Sequence, residues 1–479
     1  MIILDKNKSP FEQTVRPFFV AKFLLALIMG LTPLYSFATF PNLIATKGYI
    51  YGFPLVLMGE TLEGMTGPDR VCGLGTDLNS FAHVYERPDA DFKAVVRPNV
   101  DTLYSSAMLD LSQGPQLLEM PAVKDRYVLM ALLDAWSNNF AGVGTQTHGE
   151  EEGRYIIVGP QWKGTIPDNY TPIEAPTDLV WIIGRTEVWG DEDIATVNHI
   201  QNQYKLHPLN GNKITSDITE CTPASEKTAP IDIVKAMSGQ EFFSRLSTLM
   251  EMYPAPKSDR RMIRKLARIG VGPRAVFNLE KLSTRKMKAL ENGRNLGLKG
   301  LDVANNLLGL NGWGPNPAII PLGDYERRYL VRAVVSQIGF GANKGIYAVY
   351  QNTMRDAQRK LLDGNATYTL TFKADALPPV NAFWSLTVYG DDGFLRDNSA
   401  AAALGINRYA VGSNSGLIPG ENGDITVYFS HYPPEGIPLQ NWLPIPKDSF
   451  QVTVRFYDPD TAILKNRWKV PPLMRLSGV

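Results

Sequence analysis

The chain has 479 residues, a length that predicts two or three domains and excludes a single small module. Lys and Arg together number 48, as do Asp and Glu, so the formal net charge at pH 7 is zero and the strongly basic composition of many nucleic-acid-binding proteins is absent. The 41 glycines, 34 prolines and 10% aromatic residues favour a turn-rich architecture with much β structure. We therefore expect an ordinary folded protein that does not bind nucleic acid.

Residues 1–38 have the order of a secretory signal peptide. Basic residues come first, at Lys6, Lys8 and Arg16. An apolar run from Phe23 to Leu34 follows, and a small-x-small exit predicts cleavage near Ala38. The alternative is an uncleaved membrane anchor, but Lys22 leaves the apolar run well short of the roughly 20 residues that span a bilayer. The sequence thus predicts a periplasmic or secreted protein without stable membrane insertion after cleavage.

Both cysteines, Cys72 and Cys221, lie after the expected cleavage point. An oxidising compartment would permit a disulfide between them, and the sequence leaves one bridge and two free thiols equally open. Neither the cysteines nor the histidines have the spacing of a metal site, so no metal is predicted. Motifs of serine hydrolases and P-loop proteins are absent from the sequence. Residues 270–275 match a loose dinucleotide-binding motif, but they follow a predicted helix and contain a proline where the phosphate-binding helix would begin, so no cofactor is implied.

Residues 39–98 are expected to form a helical lead-in. Within it, residues 42–65 are interrupted at Gly52 and Pro54, which predicts a helical hairpin or a broken helix. From residue 99 short apolar runs alternate with turn residues, which predicts a first β domain over residues 99–206. Its expected elements are strands at 105–111, 126–133, 154–158 and 179–183 and a helix at 191–206.

Residues 207–362 are expected to form a helical middle region. Ser238 and Glu241 have the spacing of a capping box, which predicts that a helix begins there. Helical patterns cover 240–252, 259–269, 281–291, 324–338 and 345–362. Residues 363–479 return to strand patterns and predict a second β domain, sandwich or jelly-roll in type, with strands at 366–372, 382–389, 424–429 and 450–457. The expected fold class is α+β, mainly β.

A first candidate site is the segment from Arg97 to Tyr104, which combines an arginine, an amide, a carboxylate, a hydroxyl and a phenol where a strand begins. If it is catalytic, Asp101 is the candidate base or acid, Arg97 the anion clamp and Tyr104 a hydrogen-bond donor. Strand alternation places Asn99 and Asp101 on one face and Thr102 and Tyr104 on the other.

Asn99 and Thr102 are also candidate ligand-binding residues, together with Trp136, which follows a later apolar strand and could converge with them. A structural role is the alternative for all of these residues. In that case the polar side chains are buried and hydrogen-bonded to the loops that cap the sandwich.

A second candidate site lies in the C-terminal β domain, where aromatic and polar residues could line a pocket for a sugar or another small ring. The candidate ligand-binding residues are Trp384, Tyr389, Asn398, Arg408, Tyr409, Asn441 and Trp442. The alternative is that the aromatic residues belong to the core of the sandwich.

Several motifs of the chain resemble a paired bacterial family. They are Tyr51–Pro54, Arg97–Tyr104, Pro379–Tyr389, Asn407–Tyr409, Asn441–Pro444 and Trp468–Pro472. In this family a domain of unknown function 1254 precedes a domain of unknown function 1214. The resemblance implies an immunoglobulin-like sandwich, then helices, then a jelly-roll-like sandwich, and it implies no established activity.

The leading functional hypothesis is an exported protein that binds a small polar or aromatic ligand, or an envelope protein, through its β domains. The alternative is a cofactor-independent hydrolase or lyase that uses Asp101, Arg97 and Tyr104. A structural protein that pairs through an exposed sheet edge also stays open, as does a homo-oligomer. An enzyme needs the candidate side chains to converge around an open pocket, whereas structural residues would be buried and already hydrogen-bonded.

Overall fold

The computed structural model describes residues 40–476 except 93–96, 212–215, 217, 219, 274–277, 309–311, 321 and 398. The predicted signal peptide lies outside the described residues. The helices are α1 (Phe40–Thr66), α2 (Thr145–His148), α3 (Ile194–Gln201), α4 (Pro230–Ala236), α5 (Gly239–Met252), α6 (Arg260–Ala267), α7 (Thr284–Leu308), α8 (Tyr329–Ile338), α9 (Ser399–Ala402) and α10 (Thr461–Leu464).

The strands divide between the two ends of the described chain. The first nine are β1 (Ala82–His83), β2 (Thr102–Asp110), β3 (Gln116–Met120), β4 (Val128–Asp134), β5 (Asn139–Gly144), β6 (Gly153–Val158), β7 (Thr171–Glu174), β8 (Leu179–Glu187) and β9 (Lys205–Pro208). The others are β10 (Ala348–Thr353), β11 (Tyr368–Phe372), β12 (Trp384–Gly390), β13 (Ala410–Gly412), β14 (Ile425–Ser430), β15 (Trp442–Pro444), β16 (Phe450–Tyr457) and β17 (Met474–Arg475).

The N-terminal sandwich consists of two sheets with strand orders β1-β2-β8-β4-β5 and β7-β6-β3-β9. Strand β4 is buried on both faces because its side chains alternate between two cores. Val128, Met130 and Leu132 enter the core between the two sheets. Leu129, Ala131 and Leu133 point the other way and pack against the C-terminal domain. The sheet is therefore an inner layer of the protein rather than an outer wall.

Helix α1 is continuous, so the predicted break at Gly52 and Pro54 is wrong. The proline removes a hydrogen bond from the helix, but it is buried among the packed helices. Gly52 serves close helix packing, because a Cβ atom there would lie 2.5 Å from Cδ2 of Leu246 on α5. The residues that suggest a break in the sequence thus allow α1 to pass through the centre of the helical region, against α7 and α5.

The C-terminal sandwich also has two sheets, with strand orders β10-β16-β12-β13 and β15-β14-β11-β17. Its core contains alternate residues of both sheets, among them Leu370, Leu386 and Val454. The α+β fold class, with a helical region between two β-sandwiches, is confirmed.

Several predicted helices differ from the structure, and the 281–291 helix is longer than predicted because α7 continues to Leu308. The 345–362 helix is wrong, since β10 lies there and pairs with β16. The 191–206 helix is shorter than predicted: only Ile194–Gln201 is α-helical, and β9 follows it. The capping box is confirmed, because Ser238 accepts from the backbone N–H of Glu241 while Glu241 accepts from that of Ser238. The division into segments 39–98, 99–206, 207–362 and 363–479 stays a prediction.

A disulfide joins Cys72 to Cys221. It links the segment after α1 to the segment after β9, and the two segments also exchange backbone hydrogen bonds beside the bridge. Among the residues that the structure describes, none of the helices has the length and apolar character required to cross a membrane.

Candidate functional site

The loop that leads into β2 crosses from the N-terminal sandwich onto the C-terminal one. Oδ2 of Asp101 accepts hydrogen bonds from the Ser385 hydroxyl on β12 at 2.5 Å and from the Tyr457 hydroxyl on β16 at 3.1 Å. The Asn99 amide donates to the same Tyr457 oxygen at 2.9 Å. These four residues are buried and come from both β domains. The candidate segment of the sequence thus lies at the junction of the sandwiches.

Arg455 of β16 holds the other side of this loop. Its guanidinium donates to the Thr387 hydroxyl at 2.6 Å, to the Tyr389 hydroxyl at 2.5 Å and to the Arg97 carbonyl at 3.3 Å. The Tyr389 hydroxyl in turn donates to the Pro98 carbonyl at 2.6 Å. Arg455 and Tyr389 therefore bind backbone carbonyl groups of the loop rather than a carboxylate.

Arg185 of β8 provides a second guanidinium at the junction. It lies over the ring of Tyr104, 5.2 Å from the ring centre, and donates to Asn343 at 2.9 Å. Its Nε has no hydrogen-bond partner among the described residues. Tyr104 and Tyr350 are half-buried, whereas Arg185 is 5% exposed. The side of the cluster around Arg185 is therefore the more open one.

The positive charge at the junction is not balanced by ion pairs. In the described part of the chain, neither Arg185 nor Arg455 has a carboxylate within ion-pair distance. Arg126, which is comparably buried, is paired to Asp193 at 2.6 Å. Buried arginines are usually paired, because removing a lone charge from water is costly.

The junction also shifts the pKa values of its own groups. Burial raises the pKa of Tyr457 well above its ordinary value, and the nearby Asp101 carboxylate raises it further. Burial alone would lower the pKa of Arg455, but the neighbouring Tyr389, Tyr457 and Asp101 raise it overall. Burial lowers the pKa of Arg97. At neutral pH the phenol is a hydrogen-bond donor and both guanidinium groups carry a positive charge.

The buried phenols predict a loss of stability in alkali. Burial raises the pKa of Tyr127, Tyr389 and Tyr457 above the ordinary value near 10. Above about pH 10 the unfolded chain releases these protons while the folded chain keeps them, so the free energy of unfolding falls by up to about 1.4 kcal/mol per pH unit for each phenol. The stabilisation is complete below pH 10. Phenolate absorbance of this set should appear together with the loss of circular dichroism, and its appearance before unfolding would contradict the prediction.

Comparison with protein families agrees with the two-domain arrangement. A family model described as protein of unknown function (DUF1254) matches residues 78–208, and one described as protein of unknown function (DUF1214) matches residues 347–461. The chain carries a DUF1254 domain followed by a DUF1214 domain. The resemblance inferred from the sequence motifs is thereby confirmed.

Two solved structures were matched to the chain, and one of them shares its fold. The crystal structure of the VPA0106 protein from Vibrio parahaemolyticus matches with a TM-score of 0.69 and 21% identity, over 91% of this chain and 100% of that one. A putative uncharacterized protein from Burkholderia cenocepacia matches with a TM-score of 0.42 and 12% identity, over 90% of this chain and 87% of that one. No curated protein matches the chain. The first likeness shows a shared fold and leaves the function open.

In the DUF1254 domain, the side chains of residues 99–104 do not alternate between two faces of a strand as expected. Strand β2 begins at Thr102, so Asp101 belongs to the preceding loop and turns towards the DUF1214 domain. Tyr104 lies towards the same domain, beside Tyr457. Thr102 is buried in β2, and its hydroxyl has no partner among the described residues. Asn99, Asp101 and Tyr104 are thus brought to one junction.

The residues expected to line an aromatic pocket in the DUF1214 domain lie apart. Trp384 and Tyr389 are five positions apart on β12, so they face opposite sides of the sheet. Trp384 packs against Phe372 inside the sandwich, with ring centres 4.7 Å apart, whereas Tyr389 and the half-buried Tyr409 pack near the loop of the junction. Trp442 is buried, and its indole donates to the Ser430 carbonyl at 3.0 Å.

The polar residues proposed for that pocket hold loops of the DUF1214 domain. Asn441 accepts from the Ile418 N–H at 2.8 Å and donates to two backbone carbonyls. Arg408 donates to the Trp442 carbonyl at 3.0 Å. Asn398 lies outside the described residues. Trp136 is buried in the helical region, away from the junction.

Sequence reasoning missed the residues that give the junction its charge and its phenols. They are Arg185, Asn343, Tyr350, Arg455 and Tyr457. A signal was present, because Arg185 and Arg455 stand within strongly apolar strands, where a charged residue needs a special environment.

Proposed function

We propose that this is an exported protein that binds a small organic anion at the junction of its two β domains. The observation that carries the proposal is the pair of buried guanidinium groups, Arg185 and Arg455, without a carboxylate in ion-pair contact among the described residues. An anion from solution would supply the missing negative charge. The expected ligand is a carboxylate, because the planar guanidinium binds carboxylates through two parallel hydrogen bonds.

Arg185 is the residue expected to bind the anion. The hydrogen bonds of Arg455 go to three protein groups, whereas Nε of Arg185 is unused. The half-buried rings of Tyr104 and Tyr350 stand beside it and offer flat apolar surface to the body of a ligand. A small carboxylate with a ring or a short chain matches this combination of charge and aromatic walls.

The alternative, a hydrolase or lyase, would use the same junction with Asp101 as the base. The geometry favours binding over catalysis at Asp101. Its Oδ2 is engaged by two hydroxyls, and the residue is 8% exposed, as expected of a residue that holds the two domains together. The two functions are separated by turnover, which only the enzyme shows.

Export is supported by two independent features. The first residues of the chain have the basic, apolar and small-x-small order of a signal peptide, with cleavage proposed near Ala38. The Cys72–Cys221 disulfide is typical of an oxidising compartment such as the periplasm.

A ligand screen on the purified protein tests the proposal. Carboxylates are compared with neutral molecules of the same shape, for example benzoate with benzamide, by thermal shift and then by titration calorimetry. A ligand at about 100 times its Kd adds about 2.7 kcal/mol of stability, so its melting temperature should rise while the neutral analogue gives no shift. Equal shifts with both members of each pair, or no shift with any carboxylate, would contradict anion binding.

Asp101→Asn should raise the affinity for the anion several-fold. The asparagine oxygen can still accept from Ser385 and Tyr457, but the substitution removes a negative charge near the proposed ligand. Calorimetry measures the change, and Asp356→Asn, a substitution of another buried carboxylate, controls for effects on folding. Weaker binding, or the loss of a turnover seen with the native protein, would instead support the enzyme.

A further inference from the structure

Residues 257–288, in the helical region, are strongly basic although the chain as a whole is neutral. They contain 11 Lys or Arg residues and two acidic residues, Asp259 and Glu280. Since the chain has 48 residues of each sign, the rest of it contains 37 basic and 46 acidic residues. The protein therefore carries one positive segment on an otherwise acidic chain, and such a distribution attracts an anionic partner to that segment.

Helix α6 presents much of this charge on one exposed face. Met262 and Leu266 lie on its inner side and are buried in the helical core. At 100° per residue, the basic residues of α6 and its C-cap fall within an arc of about 140° on the other side. All of them are exposed, and we call them the α6 basic face. They are Arg260, Arg261, Arg264, Lys265 and Arg268.

The charge of the α6 basic face is not balanced by ion pairs. Among the residues that the structure describes, none of the five side chains has a carboxylate within ion-pair distance. Asp259 precedes the helix, but it is buried and accepts hydrogen bonds from Tyr329 at 2.8 Å and from Ser258 at 3.1 Å. On the neighbouring helix α5, by contrast, Arg245 is paired with Glu60 at 2.8 Å.

The positions of these charges are unfavourable for the helix itself. Residues 260 and 264, 261 and 265, and 264 and 268 are each four apart, so three pairs of like charges lie side by side. Arg260 and Arg261 also occupy the first turn, where the helix dipole disfavours positive charge. An anionic partner outside the protein would offset this repulsion.

The shape of the α6 basic face favours a broad, flat partner over a small anion. The five side chains are exposed on the convex surface of a helix about 12 Å long, where a single small anion can contact only one or two of them. A planar array of phosphate groups can contact all five, and each guanidinium can bind a phosphate through two parallel hydrogen bonds. Clusters of about four to eight Lys or Arg residues on an amphipathic helix are typical of binding to anionic lipid.

We propose that the α6 basic face binds the surface of a membrane that is rich in anionic phospholipid. The apolar side of α6 is packed in the helical core, so the helix contacts the headgroups and does not enter the acyl chains. The acidic remainder of the chain is repelled by the same surface, which orients the protein with α6 towards the membrane. This surface acts independently of the anion site at the junction of the sandwiches.

Sedimentation with vesicles tests the proposal on the purified exported protein. Vesicles of phosphatidylglycerol and phosphatidylcholine in equal parts should bind the protein, whereas vesicles of phosphatidylcholine alone should not. Raising the ionic strength from about 0.1 M to about 1 M shortens the screening length from about 10 Å to about 3 Å and should release the protein. Equal binding to both kinds of vesicle would contradict an electrostatic contact.

A triple variant locates the contact on α6. Arg261→Gln, Arg264→Gln and Arg268→Gln together should weaken binding to the anionic vesicles about 100-fold, since each basic side chain at such a surface contributes about a fivefold factor. Lys124→Gln, Lys163→Gln and Lys447→Gln are the matched control. These three lysines are exposed on the β domains, and their loss changes the net charge equally. The control variant should bind the vesicles almost as tightly as the native protein.

Two further measurements separate membrane binding from effects on folding and on the junction. The α6 triple variant should melt at the native temperature or above it, because each of the three repulsive pairs loses at least one charge. Its affinity for benzoate should be that of the native protein, since none of the substituted residues lies at the junction. Equal weakening in both triple variants, or binding to soluble polyphosphate without binding to vesicles, would overturn the proposal.

Discussion

Arg185→Met should greatly weaken the binding of a simple carboxylate, with a loss of affinity of at least about 30-fold. Arg185 has the free Nε at the junction, and removing a charged hydrogen-bonding partner from a buried site typically costs about 2–5 kcal/mol of binding free energy. Methionine keeps much of the length and apolar character of the arginine side chain. The fold should therefore persist, since replacing a buried charge by an apolar group is often neutral for stability.

Arg332→Met is the matched control for this experiment. Arg332 is also buried and without an ion pair within the described residues, but it lies in the helical region, over the ring of Trp136. Titrations with benzoate should show native affinity for Arg332→Met and strongly reduced affinity for Arg185→Met. Unchanged affinity in Arg185→Met, with its fold verified by circular dichroism, would contradict the proposed role of the junction.

The strands of the junction were predictable from the sequence, but their surroundings were not. In β16, Val452, Val454 and Phe456 alternate with Thr453 and Arg455, a pattern typical of a strand with one apolar and one solvent-facing side. The structure buries both sides, because the polar face packs on the DUF1254 domain. An alternating pattern of apolar and polar residues shows that a strand has a polar face. It does not show whether that face contacts water or a second domain.

The convergence at the junction depends on contacts between residues that are far apart in the chain. Asp101 and Ser385 are separated by 284 positions, and Asp101 and Tyr457 by 356. No local pattern encodes such a pairing. The sequence therefore identified Asp101, Asn99 and Tyr104 as a group of closely spaced polar residues. It could not predict which residues of β12 and β16 they contact.

The charge of the junction could not be predicted from the sequence either. The whole chain has 48 basic and 48 acidic residues, which predicts no excess of either sign. The junction nevertheless concentrates positive charge, because Arg185 and Arg455 face it while Asp101 is the carboxylate bonded within it. Equal numbers of acidic and basic residues do not imply that each arginine forms an ion pair. Only the fold shows which arginines have no carboxylate partner.

The helical region illustrates the opposite error, in which a local rule was applied too strongly. Gly52 and Pro54 suggested a break because each disfavours a helix by about 1–3 kcal/mol. In α1 this cost is offset by packing, since Gly52 admits Leu246 of α5 at close range. Residues that disfavour a helix in isolation can therefore be required by the contacts of that helix with its neighbours.

The double variant Cys72→Ser with Cys221→Ser should lower the free energy of unfolding by about 2–5 kcal/mol. The bridge spans 149 positions and so restricts the unfolded chain strongly, and long loops gain most from closure. The adjacent backbone bonds between Cys72 and Thr222 and between Thr222 and Arg70 keep the folded geometry in place without it. The loss should therefore arise mainly in the unfolded state.

Urea unfolding followed by tryptophan fluorescence measures this difference between the two proteins. A reducing agent should shift the native midpoint to that of the double variant and leave the variant itself unchanged, which isolates the bridge from other effects of the substitutions. Disulfides persist mainly in oxidising compartments, so the proposed export predicts that protein recovered from the cell envelope contains no titratable thiol. Two free thiols in that protein, together with equal midpoints, would contradict both the stabilising role of the bridge and the proposed export.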